Sequence, residues 1–394
     1  MERICILLDL NNQGLDQSWA ELVSGQNYAL KINYISMEEL APMLETGTVV
    51  AMVLFAEQAK QEVGHCLSLF RKYVGPLPAF QAIVAEDPEP FLISQVFEYG
   101  VEECMTQVEW PLQLVDFTQR IADLIDDPSS IEAKALKLNW SIVYGDQGQI
   151  LQSKEALGEA VNYDYVAAYA KANALQAVGQ FGEAAEAFRA SEKLNKTFRM
   201  ASSGLGETLL VMGKVDEAIE ILERLEKQNS LSVERKTSLA TAYVEKGQKE
   251  KSDEMLRQAE GLAPGHPRIL EARAEILLAE GKVGEAFKMM DNLQDVGPSF
   301  AAKLNEMGIK LSQQGKGKNA LALYKKAHKI VRHELRYKIS LNAALACYRL
   351  TDYQVALQYL ARCEKEYGGP YEKVEKVRQA IKKVMTKTQT QKVG

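Results

Sequence analysis

With 394 residues, 46% of them hydrophobic and 25% charged, the chain can bury cores and is long enough for two or three domains, or for one small domain and an elongated array; wholesale disorder is excluded. Its net charge of −6 is unevenly held: residues 1–125 contain 6 Lys/Arg against 18 Asp/Glu and the rest 41 against 35, so the first part stands at −12 and the second at +6. That division points to two modules, the acidic one a poor ligand for nucleic acid.

The chain opens with an apolar run of only five residues, Ile4 to Leu8, closed by Asp9 and, after Leu10, by two Asn. That run is too short for a signal peptide or a membrane span, and a cytoplasmic protein is expected. Apolar runs and amphipathic stretches then alternate: RICILLDL, WAELV, YALKINYI, EELAPML, VVAMVLFAE, GHCLSLFRKY, PAFQAIVAE, EPFLISQVFEYG, VEECMTQ and WPLQLVDFTQRIADLI. Short buried strands separated by helices predict a doubly wound, mainly parallel α/β sheet over residues 1–127.

The piece FEYGVEECMTQVEWPLQL, residues 97–114, and the order of elements before it resemble the receiver domain of response regulators, a flavodoxin-like fold. The resemblance implies an acidic cluster for Mg²⁺ and an Asp that accepts phosphate, since hard cations take oxygen ligands and phosphoryl transfer needs its charge neutralised. Asp9 ends the first strand, but Leu10 stands where its acidic neighbour falls. The acceptor corresponds to Phe55 or Ala56, the phosphate-sensing hydroxyl to Val84, and the fifth-strand Lys to Gln107, with Val108 in place of Pro. A pseudo-receiver is expected, its fold retained and its switch lost; Glu57 at most imitates the charge of the missing acceptor. By the same resemblance a homodimer is expected through the fourth helix, fifth strand and fifth helix, with Phe91, Val96, Tyr99, Trp110, Phe117 and Arg120 as candidates. The apolar ones among them also suit packing on the sheet.

Beyond DDPSS (126–130), five glycines stand 34 residues apart: Gly179, Gly213, Gly247, Gly281 and Gly315. A fixed period in this range marks a repeat solenoid. Five places after each Gly comes a small residue (Ala184, Ala218, Ser252, Ala286, Ala320), and four places later a large one (Phe188, Leu222, Leu256, Met290, Tyr324). Each unit reads as a helical hairpin in which Gly makes the turn, the small residue admits close approach and the large one fills the gap.

The period, the Gly, the EA pair, the small Gly206, Ala240, Ala274 and Gly308, and Pro264 and Pro298 between units resemble the tetratricopeptide repeat. About seven hairpins are expected over residues 131–367. The first has its turn at either Gly145 or Gly148; the last, RLTDYQVALQYLARC (349–363), has Thr351 for Gly, 36 residues on, which implies two extra residues near His333. A capping helix over 370–386 and a disordered tail over 387–394 close the chain. The tail lysines read as a solvated end.

The resemblance implies a superhelix whose first helices line a concave groove. Its inward positions correspond to Tyr169, Asn173 and Gln176, to Ser203, Glu207 and Leu210, to Thr237 and Thr241, to Glu271, Glu275 and Leu278, and to Asn305 and Ile309. Glutamates at its middle predict an acidic groove that takes a basic or mixed peptide or helix.

The four His have no metal-ligand spacing, the five Cys show no CxxC pair and read as buried thiols, and SSGLGETLL (202–210) lies inside a repeat helix. No metal, cofactor or catalysis is expected. The expected function is a non-enzymatic interaction adaptor in bacterial signalling or motility. The alternative is a response regulator switched by phosphorylation at Asp9 or Glu57, with a repeat output arm.

Overall fold

The computed structural model describes residues 3–10, 28–56, 61–75, 77, 80–85, 87–88, 92, 99, 101, 103–106, 109–145, 147–291, 293, 296 and 298–393. Strands β1 (Ile4–Asp9), β2 (Lys31–Tyr34), β3 (Val49–Phe55), β4 (Gln81–Ala85) and β5 (Glu103–Thr106) form one sheet in the order β2-β1-β3-β4-β5. Every pairing is parallel. β3 and β4 are buried along their whole length, as strands covered on both faces must be.

Helices α1 (Met37–Glu45), α2 (Gln61–Tyr73) and α3 (Trp110–Asp126) accompany the sheet. α1 starts at a capping box, Ser36 and Glu39 each meeting the other's backbone. α2 is two-faced. Val63, Cys66, Leu67 and Phe70 lie in the core, and His65, Ser68 and Arg71 recur every third residue on another side.

Fourteen further helices pack as seven consecutive pairs: α4 (Ile131–Tyr144) with α5 (Gln147–Glu155), α6 (Tyr165–Ala177) with α7 (Phe181–Leu194), α8 (Arg199–Val211) with α9 (Val215–Gln228), and α10 (Val233–Glu245) with α11 (Lys249–Leu262). The row continues with α12 (Pro267–Ala279) and α13 (Val283–Met290), α14 (Pro298–Gln313) and α15 (Gly317–Ile330), and α16 (Arg336–Arg349) and α17 (Tyr353–Tyr367). The result is an all-α solenoid.

The five period-setting glycines hold φ between 70° and 77°. After each, the next amide reaches back to the carbonyl five residues before it, as Lys214 N–H does to Leu209 O at 2.9 Å and Lys282 N–H to Leu277 O at 2.8 Å. This is the Schellman closure, which only a left-handed residue permits. Asp352 N–H closes on Cys347 O in the same way at 3.0 Å, so Thr351 is forced to φ 61°, a costly place for a β-branched residue. The two extra residues of this unit fall at a 3₁₀ turn, His333–Leu335. In the first hairpin the chain turns at Gly145, with φ −91°, and Gly148 lies within α5.

Within a hairpin, small meets large. A Cβ on Gly308 would stand 2.4 Å from the Tyr324 ring, and one on Gly206 2.8 Å from Leu222. The core of the sheet region runs on without a break into the first hairpin through Leu136, Leu138, Ile142 and Ile150. At the other end α18 (Glu372–Val393) covers the last pair with Val374 and Ile381, and its backbone is helical over 387–393, within the stretch expected to form a tail. Of the five cysteines, Cys104 is exposed and the other four are buried, which corrects the expectation of uniformly buried thiols. Among the described residues no helix is long and apolar enough to cross a membrane.

The row of hairpins curls until its ends meet. The Tyr337 hydroxyl donates to Val178 O at 3.3 Å, the Lys338 ammonium lies 5.7 Å from the Phe181 ring centroid, and the His333 ring bonds the Gly145 carbonyl. α8 also touches α14 across the inside.

Two substitutions separate the turn from the packing. Thr351→Gly, at an exposed turn position, is expected to stabilise the protein by about 1 kcal/mol, read as a higher urea midpoint. Gly308→Ala is expected to destabilise it by about 1–3 kcal/mol, read as a lower midpoint, because the Tyr324 ring must give way.

Candidate functional site

The inner face of the solenoid is built from α6, α8, α10, α12 and α14, and helix α2 of the sheet region is set against it. The Arg71 guanidinium donates to the Tyr169 hydroxyl at 2.6 Å and stands 5.9 Å from that ring's centroid. Ser68 Oγ donates to Glu234 at 3.2 Å, and the Tyr99 hydroxyl donates to the two Glu234 oxygens at 3.1 and 3.3 Å. The His65 ring meets His266 edge to face, with centroids 6.3 Å apart. His65, Ser68 and Arg71 thus use one side of α2, and their partners come from three inner helices or their caps, α6, α10 and α12.

Local sequence explains the receiving side. Ser232 caps α10 by accepting from Arg235 N–H, which sets Glu234 in the first turn, where the helix dipole favours a carboxylate. His266 caps α12, with Pro267 at its first position. Tyr169 is wedged edge-on between Phe188 and Phe198, and its hydroxyl meets Arg71 and Asn173. A cavity of only about 20 Å³ remains between Arg71, Glu207, Glu234 and Arg235, room for about one water.

The charges here answer one another. Burial works against the Glu234 carboxylate, but His266, its own helix-start amide, Arg71 and the Tyr99 hydroxyl outweigh it and hold the carboxyl below its usual range. Burial pushes Glu207 up, against the pull of Arg268 and Arg71. Arg268 lies 3.0 Å from Glu271 and 3.8 Å from Glu275. Burial pushes Glu275 up to about 7, with Arg268 opposing and Glu271 adding to the rise, and its Oε1 has no hydrogen-bond partner. Lys303 pairs with Glu245 nearby.

The positions expected to line an open groove are therefore largely occupied. Tyr169 is buried under Arg71, and Glu271 and Glu275 are 8% and 3% exposed. Asn173 and Glu207 are half-buried; Asn173 bonds Tyr169. Gln176 donates to Thr208 at 3.2 Å, and Asn305 accepts from Asn342 at 2.5 Å. Arg71 and Arg268 meet the glutamates, so the inner face is a mixed ionic surface and not the simply acidic channel expected from sequence. Arg71, Glu234, His266 and Arg268 were absent from that expectation.

On the sheet, Leu10, Phe55, Ala56 and Val84 are buried apolar residues, and Asp9 is half-buried at the end of β1. Phe55 packs edge to face on Trp110, with centroids 5.2 Å apart, at the edge of the sheet where doubly wound folds bind ligands. Gln107 and Glu57 lie outside the described residues. Of the six dimer-face candidates, Phe91 and Val96 also lie outside them. Trp110 and Phe117 sit in the core, Tyr99 is engaged with Glu234, and Arg120 is exposed, over the Phe117 ring. Among the described residues no group of three or more His, Cys, Asp or Glu is placed to hold a metal ion.

Residues 169–232 and 237–293 match the family model described as Tetratricopeptide repeat, so this stretch of the arm consists of such repeats, which generally mediate protein–protein interaction. No curated protein matches the chain in sequence. Among solved structures, YrrB, described as a TPR protein with an unusual peptide-binding site, is 18% identical over 52% of this chain and 97% of its own, with a TM-score of 0.28. PilF of Pseudomonas aeruginosa is 19% identical over 49% of this chain and 86% of its own, with a TM-score of 0.31.

Glu275 gives the inner face a pH signature. A carboxyl whose pKa is raised by folding contributes its stability fully below the ordinary carboxylate range and loses it as the pH climbs through its folded value, here about 7. Glu275→Gln is expected to stabilise the protein at pH 8 relative to pH 5 by about 1–3 kcal/mol compared with the parent, read from urea melts at the two pH values.

Proposed function

We propose that the chain is a non-enzymatic protein–protein interaction adaptor. Residues 1–127 are read as a flavodoxin-like, receiver-like module that docks without phosphorylation, and residues 131–367 as an arm that holds a protein or peptide partner. The observation that carries this reading is α2 in the arm: side chains of α6, α8, α10 and the cap of α12 already hold a folded protein element by its polar face.

The strand order 2-1-3-4-5 supports the receiver-like reading, being one of the two common doubly wound orders. Loss of the switch is supported by the hydrocarbon at the end of β3, where neither Phe55 nor Ala56 has an oxygen to phosphorylate. The resemblance to receivers points to a bacterial signalling or motility assembly. Self-association through the exposed side of α3 is favoured by Leu112, 64% exposed and about two turns before Arg120.

Two measurements test the reading. Incubation with acetyl phosphate and Mg²⁺ is expected to leave the intact mass unchanged; a gain of one phosphoryl group would favour the switched alternative. Cross-linking of the full chain in its native cells is expected to give a co-purifying protein bridged to α6–α14, and a chain recovered alone, without such bridges, would remove the adaptor reading.

A further inference from the structure

What α2 shows to the arm can be read as a ligand: an imidazole, a hydroxyl and a guanidinium at i, i+3 and i+6 along one helix face, His65, Ser68 and Arg71. This is the geometry of a helix laid in a groove, and its strongest element is the guanidinium. Arg71 gives a hydrogen bond to the Tyr169 hydroxyl, lies within cation–π range of the ring, and is drawn electrostatically by Glu207 and Glu234. A planar, delocalised cation fits that setting and a lysine ammonium does not.

The inner face is also incomplete without it. Glu207, Glu234, Glu271, Glu275 and Glu245 meet there, and the arm's own cations in the cluster are Arg268 and Lys303; Arg235 is spent on Glu226 at 3.0 Å and on the Asn229 carbonyl. His65 and His266 face Glu234 from the two sides of the contact. Taking α2 away would leave half-buried carboxylates short of positive charge, a costly state that another cation would relieve.

We infer that α2 is a ligand built into the chain, and that a partner entering the inner face does so as a second helix carrying an arginine at the place of Arg71, in exchange for α2. The inference rests on the adaptor reading above and supplies the chemistry of its partner. On the sheet-region side the polar part of the contact is made by His65, Ser68, Arg71 and Tyr99, with a small void left in it, while the apolar side of α2 stays in the core that runs into the first hairpin. Because α2 is tethered to the arm, its effective concentration is high, on the order of millimolar for short tethers, and a free helix competes against that.

The test uses the full chain and a fluorescein-labelled, side-chain-stapled Ala/Lys/Glu host helix bearing His, Ser and Arg at i, i+3 and i+6, followed by anisotropy. The parent is expected to bind it at least about tenfold more weakly than Arg71→Ala, whose own guanidinium is gone. Replacing the peptide's Arg by Ala, or adding Glu234→Gln to the Arg71→Ala chain, is expected to abolish the gain. Circular dichroism and size-exclusion profiles report folding; if Arg71→Ala fails them, Arg71→Lys, which keeps the charge and loses the fork, takes its place with the same expectation. Equal affinity for the parent and the released chain overturns the built-in ligand and leaves the adaptor reading standing. Equal affinity for the Arg and Ala peptides, or none in a folded released chain, overturns the arginine requirement. The adaptor reading itself falls only if cross-linking also finds no partner on the inner helices.

Discussion

A helical hairpin with one apolar face cannot bury that face alone, and the arm is the solution to this constraint. The solution is local and repetitive: a glycine-sized gap in the first helix takes the large side chain of the second, as Gly308 takes Tyr324 and Gly206 takes Leu222. Close approach inside each pair sets how tightly successive pairs can wind. Here they wind tightly enough for α8 to reach α14, and the inner side chains are drawn away from water. Desolvation then turns ordinary surface glutamates into groups with shifted titration and a need for cations. Arg268 meets part of that need from within the arm, and Arg71 comes from outside it.

The sheet region follows the opposite logic at the corresponding place. The ends of β1 and β3 are where a doubly wound sheet offers charge and space to a ligand, and here Phe55 and Trp110 fill that space with hydrocarbon. The polar contacts it makes with the arm come from the outer face of α2 and from Tyr99. In this module the strand ends carry hydrocarbon, and the polar side chains that meet the arm come from its flank.

What sequence could and could not disclose divides along the range of the interactions. The turns were legible because the left-handed glycine and its backward hydrogen bond lie within six residues, and because the period repeats them; even Thr351 was found by position, although its strained φ was not. The parallel sheet was legible from its unbroken apolar strands. The meeting of α2 with the arm was not, since Arg71 and Tyr169 are 98 residues apart, Tyr99 and Glu234 135, and Ser68 and Glu234 166. A lone Arg on an amphipathic helix reads as solvated, and nothing in its neighbours marks it as a key. Trp110 and Phe117 illustrate the converse ambiguity: an aromatic on a helix is equally at home in a core or at an interface, and here these two are in the core. Glu271 and Glu275 were assigned to the inner face, but their pairing with Arg268 depends on how far the superhelix closes.

The meeting of the first and last hairpins has a bearing on how such a chain can change over generations. An open row of repeats tolerates duplication or loss of a unit, because each unit answers only to its neighbours. Tyr337 against Val178 and His333 against Gly145 make the row answer to its own beginning. Inserting or deleting one 34-residue unit would carry those partners past each other by a full step, so the number of units is fixed by the circumference they must complete.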